Sequence, residues 1–230
     1  MGKVLSIEKI NSSNTSYRNG RKKLEYRFDA SLEDIHNHPM TPELFKSTLG
    51  KWLSWQERVE TSMAASITAI SLAPQWIASL YTWGVWINLQ DGSEVSIEDF
   101  LQKRAKKSEV CSLTLPGDVP GRVWADHAVC RTPRDYPIIF TALVMDMDKG
   151  KVVSARMAMT GASRKSVQGI KSVNEIAGKD LDEEMITQVE NGIRSEVEPV
   201  DDFRGSADYR REMAALSARR SLLTCLKGVK

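Results

Sequence analysis

The residues equipped for chemistry in this chain are few and scattered. His36-Asn37-His38 closely follows Asp34, and two imidazoles beside a carboxylate can hold a divalent metal. No third ligand of clear origin accompanies them, so the segment reads as a polar loop before Pro39. His127, next to Asp126, can titrate near neutrality, but a lone histidine in a strand has a structural reading too. Gly161-Ala-Ser-Arg-Lys-Ser166 offers a glycine, hydroxyls and two cations. It lacks the GxxxxGK[ST] spacing of a phosphate loop and is set aside. Cys111, Cys130 and Cys225 stand far apart, so the chain is expected to hold no iron–sulfur cluster and no metal. Serines, histidines and acids occur without a nucleophile elbow, so hydrolysis has no support. Trp52, Trp55, Trp76, Trp83 and Trp86 crowd together; they are either a stacking platform for an aromatic ligand or core and subunit interface. The second reading is the simpler.

The composition bounds these possibilities. With 230 residues, 41% of them hydrophobic, the chain can build one large domain or two small ones. A net charge of +2 gives no reason to expect nucleic acid. The runs Arg21-Lys22-Lys23 and Lys103-Arg104-Ala105-Lys106-Lys107 read as solvated faces. No stretch reaches the ~20 apolar residues of a membrane span, and the N-terminus carries no secretory pattern. A cytoplasmic protein with no membrane contact is expected.

The elements that must position the candidates alternate less than they segregate. Residues 3–30 read as strand, turn, strand, with VLSIEKI first and LEYRFDA second. Ser31 to Asp34 forms a capping box. Thr41-Pro42-Glu43 starts a helix whose hydroxyl caps it and whose apolar face carries Leu44, Phe45, Leu49 and Trp52. Residues 59–72 give no clear pattern. A helix over about 74–83 precedes a strand at 85–90, a turn at Asp91-Gly92 and a short helical piece. CSLTLP is a further strand. The turn-rich GDVPG at 117–121 reads as a domain boundary. Three strands follow, at 122–129, 138–146 and 152–160, then a helical piece near 166–177, a helix over 181–197 and a closing helix. Ser206 caps that last helix, with Met213, Leu216, Leu222, Leu223 and Leu226 buried and Arg210, Arg211, Arg219 and Arg220 mostly on the other side. Strands and helices are segregated, so the class is α+β.

Two strings are specific enough to suggest relatives. Arg131-Thr-Pro-Arg-Asp135-Tyr-Pro137 matches an RxxxDYP segment, and Arg204-Gly-Ser-Ala-Asp-Tyr-Arg210 matches a closing RGSxxYR. With these, the chain resembles the FAD-binding medium subunits of the molybdenum hydroxylase family, the xanthine and carbon monoxide dehydrogenase type. Leu24–Phe28, Thr41–Leu53 and Val85–Leu101 are similar to further family segments by pattern. The resemblance implies a remnant of the second FAD-binding (PCMH-like) subdomain over 1–118. A C-terminal domain over 119–230 follows, an antiparallel three-stranded sheet with a helix bundle. It implies an oxidoreductase subunit that is not active alone, with iron–sulfur and molybdopterin subunits, or further copies of itself, as partners.

The departures from the family pattern carry as much information. No AGGTD-like string of the first FAD subdomain occurs in the sequence. Counting back from Ile97-Glu-Asp-Phe places the family's TIGGN loop at Ser62-Met63-Ala64-Ala65-Ser66, where both glycines are alanine. Such a loop brings backbone N–H groups against a pyrophosphate, and a Cβ obstructs that approach. A family carboxylate falls at Gln75, and the family's flavin-side lysine falls at or next to His127. The resemblance therefore implies Ser62, Ala64, Ala65, Ser66 and His127 as FAD contacts in a weakened site. It leaves two functions open: electron transfer through FAD, or a flavin-free scaffold.

Overall fold

The computed structural model describes residues 13–18, 21–103, 109–117, 119–132 and 135–228. The strand expected at VLSIEKI and Arg104–Lys107 of the second basic run lie outside these residues, as do the side chains of Arg21, Lys22, Lys23 and Lys103.

The first half builds a five-stranded antiparallel sheet from β1 (Ser13–Arg18), β2 (Arg21–Arg27), β3 (Trp86–Leu89), β4 (Glu94–Ser96) and β5 (Val110–Leu115), in the order β1-β2-β5-β3-β4. Between β2 and β3 run five helices: α1 (Leu32–Asn37), α2 (Glu43–Trp52), α3 (Trp55–Glu60), α4 (Met63–Thr68) and α5 (Pro74–Trp83); α6 (Ile97–Lys103) follows β4. Side chains start most of the short helices. Ser31 and Asp34 exchange bonds at α1, Ser54 and Glu57 do so at α3, and the Ser62 hydroxyl accepts from Ala65 N–H at α4. α2 differs from expectation. Pro42 stands at its cap without a side-chain bond, and the Thr41 hydroxyl instead donates to the Ile35 carbonyl, tying α1 to α2.

The second half builds β6 (Arg122–Val129), β7 (Ile139–Asp148), β8 (Lys151–Thr160) and β9 (Gln168–Ile170), antiparallel in that order. The described sheet thus has four strands rather than three. Gln168-Gly-Ile pairs with β8 where a helical piece was expected, and only Ser172–Ile176 turns, as a 3-10 helix. Then come α7 (Glu183–Glu196) and α8 (Ala207–Gly228). Ala125, Met145, Met157 and Met159 join the core under α7 and α8. Phe140, Ala142 and Ala158 face the other way, with Ala78 of α5. β7 is accordingly buried from Ile139 to Met145 without alternation, as expected of a strand covered on both faces.

α5 is the piece shared by both halves. Nine of its ten residues are buried, the signature of a helix enclosed all round. Pro74 opens it at a position where no N–H is needed. Gly84 closes it at φ +74°, where a Cβ would stand 1.6 Å from the Arg156 guanidinium. Asp126 on β6 fastens α2 to the second sheet by accepting from Ser47 and Lys51 at 3.0 Å each.

α8 corrects the expected stripe. Its buried face is Arg210, Ala214, Ala215, Ser217, Ala218, Ser221, Leu222 and Cys225, with Met213, Leu216, Leu223 and Leu226 only half-buried. Small residues let the helix lie close across β6 and β7, and larger side chains flank that contact.

Candidate functional site

Residues 62–66 are not an open loop but the first turn of α4. The N–H groups of Met63, Ala64, Ala65 and Ser66 are all engaged within the chain. Met63 N–H donates to Ala30 O at 2.8 Å and Ala64 N–H to Phe28 O at 3.1 Å. Ala65 N–H donates to the Ser62 hydroxyl at 3.2 Å and Ser66 N–H to Ser62 O at 3.0 Å. The Ser66 hydroxyl donates to Met63 O and accepts from the Trp76 indole at 3.1 Å. Met63, Ala64 and Ser66 are buried, the first two in the core of the first half. The N–H donors from Met63 to Ser66 that would face a pyrophosphate already have partners, and Ala64 and Ser66 are buried in the core.

His127 sits elsewhere. Its ring faces α8, on the far side of the second sheet from the core that holds Ala64. Arg220 can only donate, so the His127 Nε2 it reaches at 3.3 Å is an acceptor. The proton is therefore on Nδ1, which contacts the Ser217 hydroxyl at 3.2 Å; Ser217 in turn donates to Thr141 at 2.8 Å. Burial first, and the Arg220 charge second, lower the His127 pKa, against a smaller opposite pull from Asp126. The fold does not bring His127 and residues 62–66 to one site.

What the fold does bring together is the two specific strings. Arg204 stacks over the Tyr136 ring at 5.4 Å and donates to Pro137 O, so RGSADYR lies on the DYP turn. Arg210, only 3% exposed, donates to Ile138 O at 2.8 Å and Gly161 O at 3.4 Å. Asp202 holds the corner. It pairs with Arg210 at 2.6 Å and Arg204 at 3.1 Å and accepts from Arg204 N–H at 2.8 Å. Burial pushes the Asp202 carboxyl up, but those donors outweigh it and hold the pKa at about 2. Gly161 completes the junction at φ +77°: a Cβ there would meet Ile138 O at 2.1 Å and Arg210 Nη1 at 3.0 Å. Around these groups lies a cavity of about 260 Å3, whose wall includes Ser163, Arg164 and Lys165.

Sequence reasoning had set Gly161–Ser166 aside and placed Arg210 on the outer face of its helix. One signal was available: Arg210 is in phase with Ala214, Ser217 and Ser221, the small residues that mark the buried face. The contact between the two strings had none, because 67 positions separate the pair that first meets, Arg204 and Pro137.

The other candidates disperse. Trp76 and Trp83 are core residues packed on Phe45, Trp52 meets Phe140, and Trp55 and Trp86 are exposed, so the tryptophans form no single platform. Gln75 is buried beside Tyr136. Among the described residues no three His, Cys, Asp or Glu side chains converge as metal ligands, and no helix is long and apolar enough to cross a membrane. A second cavity of about 340 Å3 lies between the sheets, lined by Tyr81, Trp86, Glu98 and Arg156.

Comparison with known proteins accounts for this architecture. Residues 125–225 match the CO dehydrogenase flavoprotein C-terminal domain family. The carbon monoxide dehydrogenase medium chain of Hydrogenophaga pseudoflava is 24% identical over 139 residues, 60% of this chain and 44% of that one. The glyceraldehyde dehydrogenase medium chain of Sulfolobus acidocaldarius is 26% identical over 85 residues, 37% of this chain and 30% of that one. The matches thus span less than half the length of these curated relatives. Among solved structures, carbon monoxide dehydrogenase from Hydrogenophaga pseudoflava superposes with a TM-score of 0.81 at 18% identity, covering 94% of this chain and 78% of that one. Quinoline 2-oxidoreductase from Pseudomonas putida gives a TM-score of 0.76 at 20% identity, with 94% and 78% covered. At such identities the superpositions establish the fold.

Proposed function

This chain is a relative of the FAD-binding medium subunits of the molybdenum hydroxylase family, and on that premise we propose that it serves as an architectural subunit of a molybdenum-hydroxylase-like oxidoreductase. It would dock against subunits that carry iron–sulfur and molybdopterin centres. It would not grip FAD through residues 62–66. The observation that carries this reading is the closure of that turn, in which the N–H groups of Met63, Ala64, Ala65 and Ser66 all have partners within the chain. A pyrophosphate would have to displace two backbone bonds, a helix cap and a helical bond at once. Each lost bond forfeits about 0.5–1.5 kcal/mol net. Nanomolar retention of a cofactor needs about −12 kcal/mol net, which such a turn is poorly placed to support.

The division into a first unit over 1–118 and a second over 119–230 belongs to the same proposal. Each sheet has its own main core, and α5 and the Asp126 bonds join them. In this reading, His127 is a structural residue that orders α8 on the second sheet.

The experiment is purification with and without neighbouring gene products, followed by visible spectroscopy and FAD titration. A colourless chain that takes up no FAD alone but co-purifies with iron–sulfur and molybdopterin proteins is the expected result. Stoichiometric flavin on the isolated chain would reject the architectural reading in favour of electron transfer through FAD. Failure to associate with any such protein would reject the assembly role.

A further inference from the structure

The cavity beside Asp202 has a charge pattern the architectural role does not use. We propose that it is a binding site for a small phosphate-bearing molecule, held by Arg164, Lys165 and the Ser166 hydroxyl, with Arg204 adding positive charge to the wall. The inference stands independently of the assembly role.

The charge balance is the first ground. Four cations line the cavity, Arg164, Lys165, Arg204 and Arg210, and Asp202 is the sole carboxylate among its lining residues. Asp202 is shared by Arg204 and Arg210. Arg164 and Lys165 are exposed and form no ion pair among the described residues. The wall thus carries a surplus that a dianion balances better than a single carboxylate does. A phosphate monoester supplies that charge together with several acceptor oxygens for guanidinium forks and hydroxyls.

The second ground is preorganisation. Arg210 is fixed by three carbonyls and Asp202, and it anchors the junction rather than reaching out. Arg204 is held by Asp202 on one side and by the Tyr136 and Phe203 rings on the others, at 5.4 and 5.7 Å. Gly161 turns the chain at φ +77° and sends Ser163–Ser166 along the cavity wall. The Ser163 hydroxyl accepts from Lys165 N–H at 3.2 Å, which shapes that turn. Arg204 and Arg210 thus set fixed positive charge beside the exposed Arg164 and Lys165, which raises the local concentration of an anion.

The third ground is size. A volume of about 260 Å3 exceeds what a bare ion needs, since a water occupies about 30 Å3. It falls just under the usual range for small-molecule pockets, roughly 300–1,000 Å3. This fits a compact phosphorylated metabolite. The half-exposed Tyr136 ring offers the non-phosphate part an apolar contact.

The test is calorimetric titration of the full chain at low salt with pyrophosphate, ribose 5-phosphate and adenosine monophosphate. Citrate and a poly-glutamate peptide serve as carboxylate probes. Saturable binding of the phosphate probes is expected, weakening with salt. The double variant Arg164→Gln, Lys165→Gln should lose at least about tenfold in affinity, since each removes a charge-assisted contact. Both residues are exposed, so its melting temperature should stay unchanged. Binding weaker than about 1 mM for every phosphate probe overturns the proposal. So does binding that the double variant leaves intact, or a grip on citrate or poly-glutamate as tight as on the phosphates. FAD uptake and partner co-purification are read separately, so this site and the assembly role can fail one without the other.

Discussion

Two turns of this molecule offered themselves as anion sites, and the fold treats them oppositely. The turn at residues 62–66 spends its backbone donors internally: every N–H from Met63 to Ser66 has a partner in the chain. The turn at 161–166 lies on a wall where four cations face one carboxylate, and Arg164 and Lys165 stay exposed. The first is buried in a core and bonded to Trp76 of α5; the second borders a cavity. Donor content alone therefore does not mark a site. What matters is whether the donors are already satisfied.

The sharpest way to break the contrast is at its anchor. Arg210→Met removes a buried guanidinium from Asp202, Ile138 O and Gly161 O, and should cost about 3–5 kcal/mol in denaturant unfolding. A loss below 1 kcal/mol would mean that the junction is held by something other than Arg210. Next in size, Gly161→Ala combines a positive-φ penalty with a backbone clash and should cost about 2–4 kcal/mol. Gly178→Ala is the control, at φ +79° with open space around it, and should cost only about 1 kcal/mol. Equal effects at the two glycines would show that the close approach at Gly161 does not matter.

The other side of the contrast is tested by restoring glycine. Ala64→Gly with Ala65→Gly should cost about 1 kcal/mol per residue, the helical penalty, and should bring no FAD uptake, because the donors stay engaged. Flavin uptake by that variant would show that the methyl groups, not the satisfied N–H groups, were the obstacle. The smallest effect concerns pH. Asp202 titrates at about 2 in the folded protein against 3.8 as its ordinary value. Its contribution to stability is therefore complete above about 4 and is lost as the pH falls through its folded value. Asp202→Asn should flatten that part of an acid-unfolding curve while lowering stability at neutral pH.

Much of the secondary structure was legible, since it rests on local signals. The capping box at Ser31 and Asp34, the helix over about 74–83 and the strands at 122–129 and 152–160 all stand within a few residues of where the sequence places them. β9 was not, because three residues around Gly169 carry no periodicity and pair only because β8 is already in place. Thr41 shows the same limit: its sequence context reads as a cap, but its hydroxyl finds the Ile35 carbonyl across the α1–α2 turn. The tail helix was legible as a helix but not in its rotation. A reading weighted by Leu and Met chose the wrong centre for the stripe, since close approach to the sheet selects Ala and Ser.

The sequence by itself determined the class, most element boundaries and, through Arg131–Pro137 and Arg204–Arg210, the lineage, because each depends on neighbours within one or two turns. Only the tertiary structure decided which polar groups remain available. Partners such as Ala30 O for Met63, Ser217 for His127 and Ile138 O for Arg210 lie 33 to 90 positions away. Whether a donor is spent or free depends on such distant contacts, which packing sets and local sequence does not encode.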